Sequence, residues 1–438
     1  MRSFAVYAAQ DDGEDFQLSI QHSTSNIQHS PSRRVAITGI GIVSCFGRGQ
    51  EAALASLRSA TSGVRRITSI DASALNCRVA GEVPAEAHHG LFPGYDRFTR
   101  FALIAAEEAA AQARLSDAGV NPVRIGVIIG TGLGGCETLD NGYLRLYAQS
   151  ATRLPPTMIP SSMYNAASSA VATRFQAKGL SYAIVSACAS SAHSIGQAAL
   201  AIRGGIADVV LAGGADAPLT LGIIRAWEGL RVLAVDNDHP AASCRPFSAD
   251  RKGLVLAEGA AVMVLEEWEN ALRRGVTILG EIAGTGMTSD AGHITDPSSD
   301  GATRAMRLAL DDGGIDVAEV GYINAHGTGT RANDATETKA IRAVFGDRAG
   351  SIPVSSTKSL HGHAMGASGA IEIACSILAL RAGFLPPTIN LIAPDPECDL
   401  DYVPNEPREA RVSLCLSNSF AFGGMNGVVA VRVFGLSS

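Results

Sequence analysis

Short apolar runs rich in β-branched residues alternate along this chain with stretches whose apolar residues recur at helical spacing, the pattern of an α/β protein. The clearest unit runs from Ser181 to Gly214. Tyr182 to Ala187 is short, apolar and partly β-branched, which predicts a buried strand. Ala192, Ile195, Ala199 and Ile202 then repeat at helical spacing, and Gly204-Gly205 stops the helix. Asp208 to Leu211 opens the next strand. The same reading gives strands at VAITGIGIVS after Arg34, at Arg124 to Gly130, Tyr322 to Ala325, Val412 to Leu416 and Val428 to Val433. It gives an Ala-rich helix from Phe98 to Ala118, ended by Asn121-Pro122.

Three of these stretches have divergent counterparts later in the chain. RIGVIIGTGLGG is similar to VGYINAHGTGT, and VAITGIGIVS to EIAGTGMTSD. The strand, turn and helix around Cys188 match IPVSS, a loop and GAIEIACSILAL. The pairs keep the same order, which predicts two related α/β halves whose loops meet at one cleft. The halves are expected at 34–275 and 276–438, with Glu266 to Arg274 as the crossover helix. Residues 1–33 are polar and rich in Ser, Gln and His, the composition of a disordered tail. Phe4 to Ala9 is too short for a signal-peptide core and is followed by Asp11-Asp12.

Composition narrows the class. With 438 residues, 46% hydrophobic and only 18% charged, the chain can build a large core. Mean hydropathy is +0.16, yet no run of about 18 apolar residues exists, so no membrane span is expected. A net charge of −7 argues against nonspecific nucleic-acid binding. The eight cysteines are scattered and none forms C-x-x-C, which fits reduced thiols in a cytoplasmic protein.

Cys188 stands at the strand-to-helix turn, where unpaired N–H groups and the helix dipole favour an anion. Such a place is expected to lower a thiol pKa and make a nucleophile. Its neighbours Ala187, Ala189, Ser190 and Ser191 are small, and no Asp or Glu lies between Asp140 and Asp208. A buried structural cysteine is the competing reading. Gly130, Gly132 and Gly135 spell G-x-G-x-x-G after a strand, but the acid expected about 20 residues on is missing, so no dinucleotide cofactor is implied. His326 follows one strand, and His363 precedes a helix with Lys358 five residues before it. His361-x-His363 has no third ligand pattern, so no metal is implied. Each histidine alone reads as a polar loop residue. Cys188, His326, Lys358 and His363 together, each among Gly and small residues, read as one site.

SACASS, NAHGTGT, SSTKSLHGHAMGASGA and SNSFAFGGMNG, with RPFSADRKGLVLAEGA, SDAGHITDP and PPTINL, resemble the elongating β-ketoacyl-acyl-carrier-protein synthases over Arg34 to Phe434. The resemblance implies a thiolase-like fold, two α/β halves in five αβαβα layers, a homodimer and no cofactor. It implies decarboxylative condensation of malonyl-acyl-carrier protein with an acyl chain held on Cys188. The carrier protein presents both groups on phosphopantetheine. His326 and His363 would donate to the enolate oxygen. The Cys188 and Phe422 N–H groups would form the oxyanion hole, with Gly423 and Gly424 freeing the gate loop. Lys358 would sit near His363 with Glu337 as partner, and Asp334 would support the site. Thr328 and Thr330 would contact pantetheine, and Leu133 would line the acyl tunnel unless it is plain core. Arg97, Arg100 and Arg231 are the candidate carrier-docking residues, unless they are ordinary solvated or capping charges. His361, Ala421 and Met425 depart from the usual pattern, and HGHAMGA is similar to the nodulation branch. A thiolase would need a second cysteine in NSFAFGGMNG, which has none, and a noncatalytic chain-length subunit would usually lack Cys188.

Overall fold

The computed structural model describes residues 33–117 and 119–435. The expected tail, apart from Arg33, and Ala118 at the expected end of the first long helix lie outside them. Ten strands carry the fold: β1 Val35–Ser44, β2 Ile125–Gly130, β3 Ser181–Ile184, β4 Val209–Asp216, β5 Gly259–Glu267, β6 Gly280–Ser289, β7 Tyr322–Asn324, β8 Val354–Ser355, β9 Leu414–Ala421 and β10 Met425–Val433. The helices that pack on them are α1 Arg97–Gln112, α2 Ala166–Phe175, α3 Ser190–Arg203, α4 Leu221–Leu230, α5 Trp268–Arg274, α6 Ser299–Gly313, α7 Arg331–Phe345 and α8 Ser368–Arg381.

The strand order is β8-β7-β9-β10-β6-β1-β5-β4-β2-β3. Outward from its middle, the first half runs 1-5-4-2-3 and the second 6-10-9-7-8, so each strand n corresponds to strand n+5. Pairing repeats as well. β2 is parallel to β3 and β4, and β5 is antiparallel to β4 and β1. β7 is parallel to β8 and β9, and β10 is antiparallel to β9 and β6. Within the main sheet, the halves pair where Ala36 and Ile37 face Glu281 and Gly280.

Helices α1 and α2 cover the outer face of the first half, and α6 and α7 that of the second. Between the halves lie α3 and α8, each touching strands of both. Helix α8 is buried from Ser368 to Leu380, as a helix with apolar residues all round must be. The result is the thiolase-like five-layer arrangement. Separate apolar clusters fill the spaces under α1, around α3 and α8, and under α6.

The sequence repeat has a packing cause. A Cβ at Gly39 or Gly41 of β1 would lie 2.0 or 1.8 Å from the carbonyl oxygens of Ala109 and Ala105 on α1. A Cβ at Gly284 or Gly286 of β6 would lie 2.0 Å from those of Ala309 and Ala305 on α6. Both G-x-G pairs let an Ala-rich helix lie directly on the strand. One strand expectation fails: β3 is an open edge with Ser181 and Tyr182 exposed, because nothing described pairs with its outer side. Tyr182 and Val185 face a surface, while Ile184 packs half-buried on the central apolar cluster.

Gly41→Ala and Gly286→Ala should each destabilise the protein by about 1–3 kcal/mol or more. Gly350→Ala, where an added Cβ meets nothing within 4 Å, should be near neutral. Urea unfolding of the three variants checks this, and equal midpoints would contradict the close-approach account.

Candidate active site

Strand β3 ends in a tight elbow. Ala187 takes a φ of 49° and begins a single 3-10 turn through Ala189 before α3 starts. The Ser190 hydroxyl accepts from the Ser186 N–H at 2.9 Å and lies 2.7 Å from the Ala187 carbonyl, which holds the turn. Cys188 sits inside this turn, where its own N–H and that of Phe422 both favour the thiolate.

From the second half come two histidines. His363 Nε2 is 3.1 Å from Cys188 Sγ. The Met365 N–H donates to His363 Nδ1 at 3.2 Å, and the Ser368 hydroxyl lies 2.8 Å from the same nitrogen. An atom that accepts an amide proton cannot carry one, so the neutral ring bears its proton on Nε2. His326 Nδ1 lies 3.3 Å from Lys358 Nζ. An ammonium can only donate, so His326 also bears its proton on Nε2. The two rings are 5.4 Å apart at 85°. Burial first, and then the Lys358 charge, hold both well below the usual imidazole pKa.

Lys358 corrects one expectation. Its partner is Glu372 on α8, an ion pair with both side chains fully buried, and its Nζ contacts His326 and not His363. Burial pushes Glu372 up to about 7, against the pull of Lys358. Glu337 does other work: it accepts from the N–H groups of His326 and Gly327, both at 2.8 Å, and from Asn418 Nδ2 at 3.0 Å. Asp334, one turn earlier on α7, accepts from Phe247 N–H at 2.8 Å and Gly329 N–H at 3.2 Å and pairs with Arg251. These two carboxylates fix the backbone of the His326 loop. His361 does not converge with His363 on a common point; its Nε2 lies 3.1 Å from Thr357 Oγ1.

The expected low thiol pKa is also corrected. Burial pushes Cys188 up to about 12, while Lys358 and the two N–H groups oppose the rise. Asp216 adds to the rise. It lies just past the acid-free stretch in sequence, but the end of β4 brings it beside the elbow. Asp216 accepts from Thr131 Oγ1 and the N–H groups of Gly132 and Gly366, each at 2.7 Å, and from Leu133 N–H at 3.1 Å.

A cleft opens over Cys188, His326 and His363. Thr328 and Thr330 line it, with their hydroxyls 2.9 Å apart. Phe422, half-buried, stacks on Trp227 of α4 at 5.8 Å. Gly423 and Gly424 take φ of 84° and 70°, which a side chain would disfavour. Ala421 pairs with Met425 at the end of the β9–β10 hairpin and stays at ordinary strand φ, so its Cβ brings no strain in this arrangement. The segment from Asp290 to Pro297 forms the cleft's other lip, with Ile294 accepting from Gly423 N–H at 2.7 Å.

Three placements differ from expectation. Leu133 is half-buried and does not line this cleft; it lines a separate depression with Tyr164 and Val185. Arg97 is not a docking residue: its side chain is 6% exposed and pairs with buried Glu258. Arg100 is half-buried beside Glu137 at 3.8 Å. Arg231 is exposed, next to cleft-lining Val232. Glu372, Asp216, Trp227 and Ser368 were missed from the sequence. Glu372 carried a usable signal, as the one charge within the apolar run from Gly369 to Leu380.

A thiol and two neutral Nε2–H donors at one cleft, on a thiolase-like fold, define a condensing enzyme. Residues 32–271 match the family described as Beta-ketoacyl synthase, N-terminal domain, and residues 279–392 match its C-terminal domain. The chain is 43% identical over 404 residues to Nodulation protein E of Rhizobium sp. (strain N33), covering 91% of this chain and 99% of that one. It is 42% identical over 409 residues to 3-oxoacyl-[acyl-carrier-protein] synthase 2 of Synechocystis sp. (strain ATCC 27184 / PCC 6803 / Kazusa), covering 92% and 98%. A solved structure of a type II PKS acyl-carrier protein in complex with its ketosynthase bound to the hexaketide has a chain that is 32% identical, with TM-score 0.86 and coverage of 92% and 100%. The chain belongs to the β-ketoacyl synthase family, and it is a condensing enzyme of the acyltransferase class.

A thiol held up at about 12 has no titration near neutrality. Alkylation of Cys188 by iodoacetamide should therefore rise tenfold per pH unit, without a plateau through the neutral and mildly alkaline range. Lys358→Met should slow it at every pH, since Lys358 is the strongest influence favouring the thiolate. Mass spectrometry of the Cys188 peptide reads both, and a plateau near neutrality would contradict the buried neutral thiol.

Proposed function

We propose that Cys188 takes an acyl group from an acyl-carrier protein as a thioester, releasing the carrier thiol. A malonyl group on a second carrier protein then loses carbon dioxide. The enolate oxygen that develops is held by the Nε2–H groups of His326 and His363, and donors aimed at developing charge are worth most in a dry site. The carbanion attacks the Cys188 thioester, extends the chain by two carbons and expels Cys188, which regains a proton. The tetrahedral oxyanion rests on the N–H groups of Cys188 and Phe422. The observation that carries this reading is the fixed tautomer of both histidines, each capped on Nδ1 by a group that donates.

Lys358 adds to burial in keeping both imidazoles neutral, and it orients that of His326. Asp334 and Glu337 hold the loop that carries His326, and Thr328 and Thr330 receive the pantetheine arm. Phe422 is the gate, with Gly423 and Gly424 giving its loop room to move. The carrier protein docks at the rim of the cleft. Arg231 and Arg331, both exposed beside lining residues Val232, Thr330 and Ala332, suit an acidic carrier. The pathway is fatty acid or related acyl-chain biosynthesis. The division at 275/276 separates the half with the nucleophile from the half with the histidines. An open β3 edge flanked by exposed Met163, Tyr164, Tyr182 and Val185 suits pairing with a second copy as a homodimer. Eight buried free thiols suit the reducing cytoplasm.

Cys188→Ala should abolish condensation yet keep malonyl decarboxylation. His326→Ala or His363→Ala should each cost decarboxylation about 3–4 kcal/mol. Product analysis by mass spectrometry and carbon dioxide release read the two steps, and full condensation by Cys188→Ala would sink the assignment. Charge reversal at Arg231 and Arg331 should raise KM for carrier-bound substrate and leave a small acyl thioester unaffected. Equal changes for both substrates would remove the docking role.

A further inference from the structure

The two N–H groups that favour the Cys188 thiolate come from different halves of the chain. One belongs to the elbow before α3, and the other to the β9–β10 hairpin. For both to point at one oxygen, the elbow and the hairpin must keep a fixed separation.

His193, on α3 five residues past Cys188, hydrogen-bonds to both. Its Nε2 lies 3.1 Å from the Asn426 carbonyl oxygen, at the start of β10. A carbonyl only accepts, so Nε2 carries the proton. Its Nδ1 lies 2.8 Å from the hydroxyl of Ser186, the residue that begins the elbow. With Nε2 protonated on a neutral ring, Nδ1 accepts and the Ser186 hydroxyl donates. The ring is seated closely. A Cβ at Gly427 would stand 2.9 Å from His193 Cδ2, so only glycine lets β10 come this near.

The hairpin end is anchored in turn. Asn426 Nδ2 donates to Asp290 Oδ1 at 2.7 Å, and Asp290 N–H donates to the Gly424 carbonyl at 2.8 Å. Asn426 and Asp290 both line the cleft. His193 does not, and it touches neither Cys188 nor the catalytic histidines among its hydrogen bonds. Its place is behind the site, as the brace between two loops.

We propose that His193 is a positioning residue that sets the spacing of the oxyanion-hole N–H groups of Cys188 and Phe422. This rests on the reading of Cys188 as nucleophile given above. It separates two steps that a general loss of structure would not separate. Acyl transfer to Cys188 passes through a tetrahedral oxyanion in that hole. Malonyl decarboxylation uses the His326 and His363 donors, which His193 does not hold.

The experiment compares wild type, His193→Leu and His193→Gln. Leu removes both hydrogen bonds, while Gln keeps a donor for the Asn426 carbonyl. Acylation of Cys188 by a small acyl thioester is timed by mass spectrometry, and malonyl decarboxylation by carbon dioxide release. Acylation should fall about 10- to 100-fold in His193→Leu, the scale of a misplaced oxyanion donor. Gln should restore most of it, and decarboxylation should be unchanged in all three. Unchanged acylation in His193→Leu overturns the proposal, and so does an equal fall in both steps that Gln does not relieve. A wild-type protein that is never acylated at Cys188 overturns the nucleophile reading itself, and this inference with it.

Discussion

A fully buried positive charge holds the active site in its working state. The Lys358 side chain is fully buried, and a buried ion is costly unless paired and hydrogen-bonded. Its pairing with Glu372 ties the short helix Lys358–His361 to the centre of α8. From that point the ammonium acts across the site. With burial as the larger cause, it helps keep His326, His361 and His363 uncharged, and it favours the Cys188 thiolate. Moving this charge would free the tautomer of His326, whose Nδ1 faces Lys358 Nζ at 3.3 Å. Helix α8, buried from Ser368 to Leu380, supplies its partner.

The site is therefore built in two tiers. Groups that can meet substrate are the thiol, two imidazole N–H groups and two peptide N–H groups. Behind them, carboxylates face the protein and not the cleft. Glu337 and Asp334 accept main-chain N–H groups of the His326 loop, and Asp216 those of the Gly130 loop. Each is an anion spent on holding backbone, which is why so many acids lie near a site that handles anionic intermediates.

Much of this was legible from residue order alone. The repeats VAITGIGIVS and EIAGTGMTSD became β1 and β6, central and equivalent, because both need glycine under a helix. Cys188, His326, Lys358 and His363 did come together. The failures share a cause. Periodicity reports that a residue is buried or exposed, but not what it meets across the sheet. Arg97 looked like a surface charge on a helix and is buried against Glu258. Tyr182 to Ala187 reads as a buried strand, and its first residues, to Ile184, form an edge. The acid-free stretch before Asp208 is real, yet Asp216 reaches the elbow through space. Glu337 was expected to pair with Lys358 from likeness to a family, and the nearer acid sat inside an apolar helix.

The internal symmetry of the fold has one chemical consequence. The elbow at Ala187, Cys188 and Ala189 has a twin at Met365, Gly366 and Ala367, where Met365 takes a φ of 51° and a 3-10 turn again leads into a central helix. Gly366 is thus the twin of the nucleophile, and Asp216, the last residue of β4, is the twin of Ala421, the last of β9. In the twin, the Gly366 N–H is already taken by the Asp216 carboxylate. One of two like-built anion seats is filled by the protein's own side chain, and its counterpart has Ala421, which carries no charge. Duplication supplied two seats, and a single carboxylate decides which of them stays empty for a reaction to use.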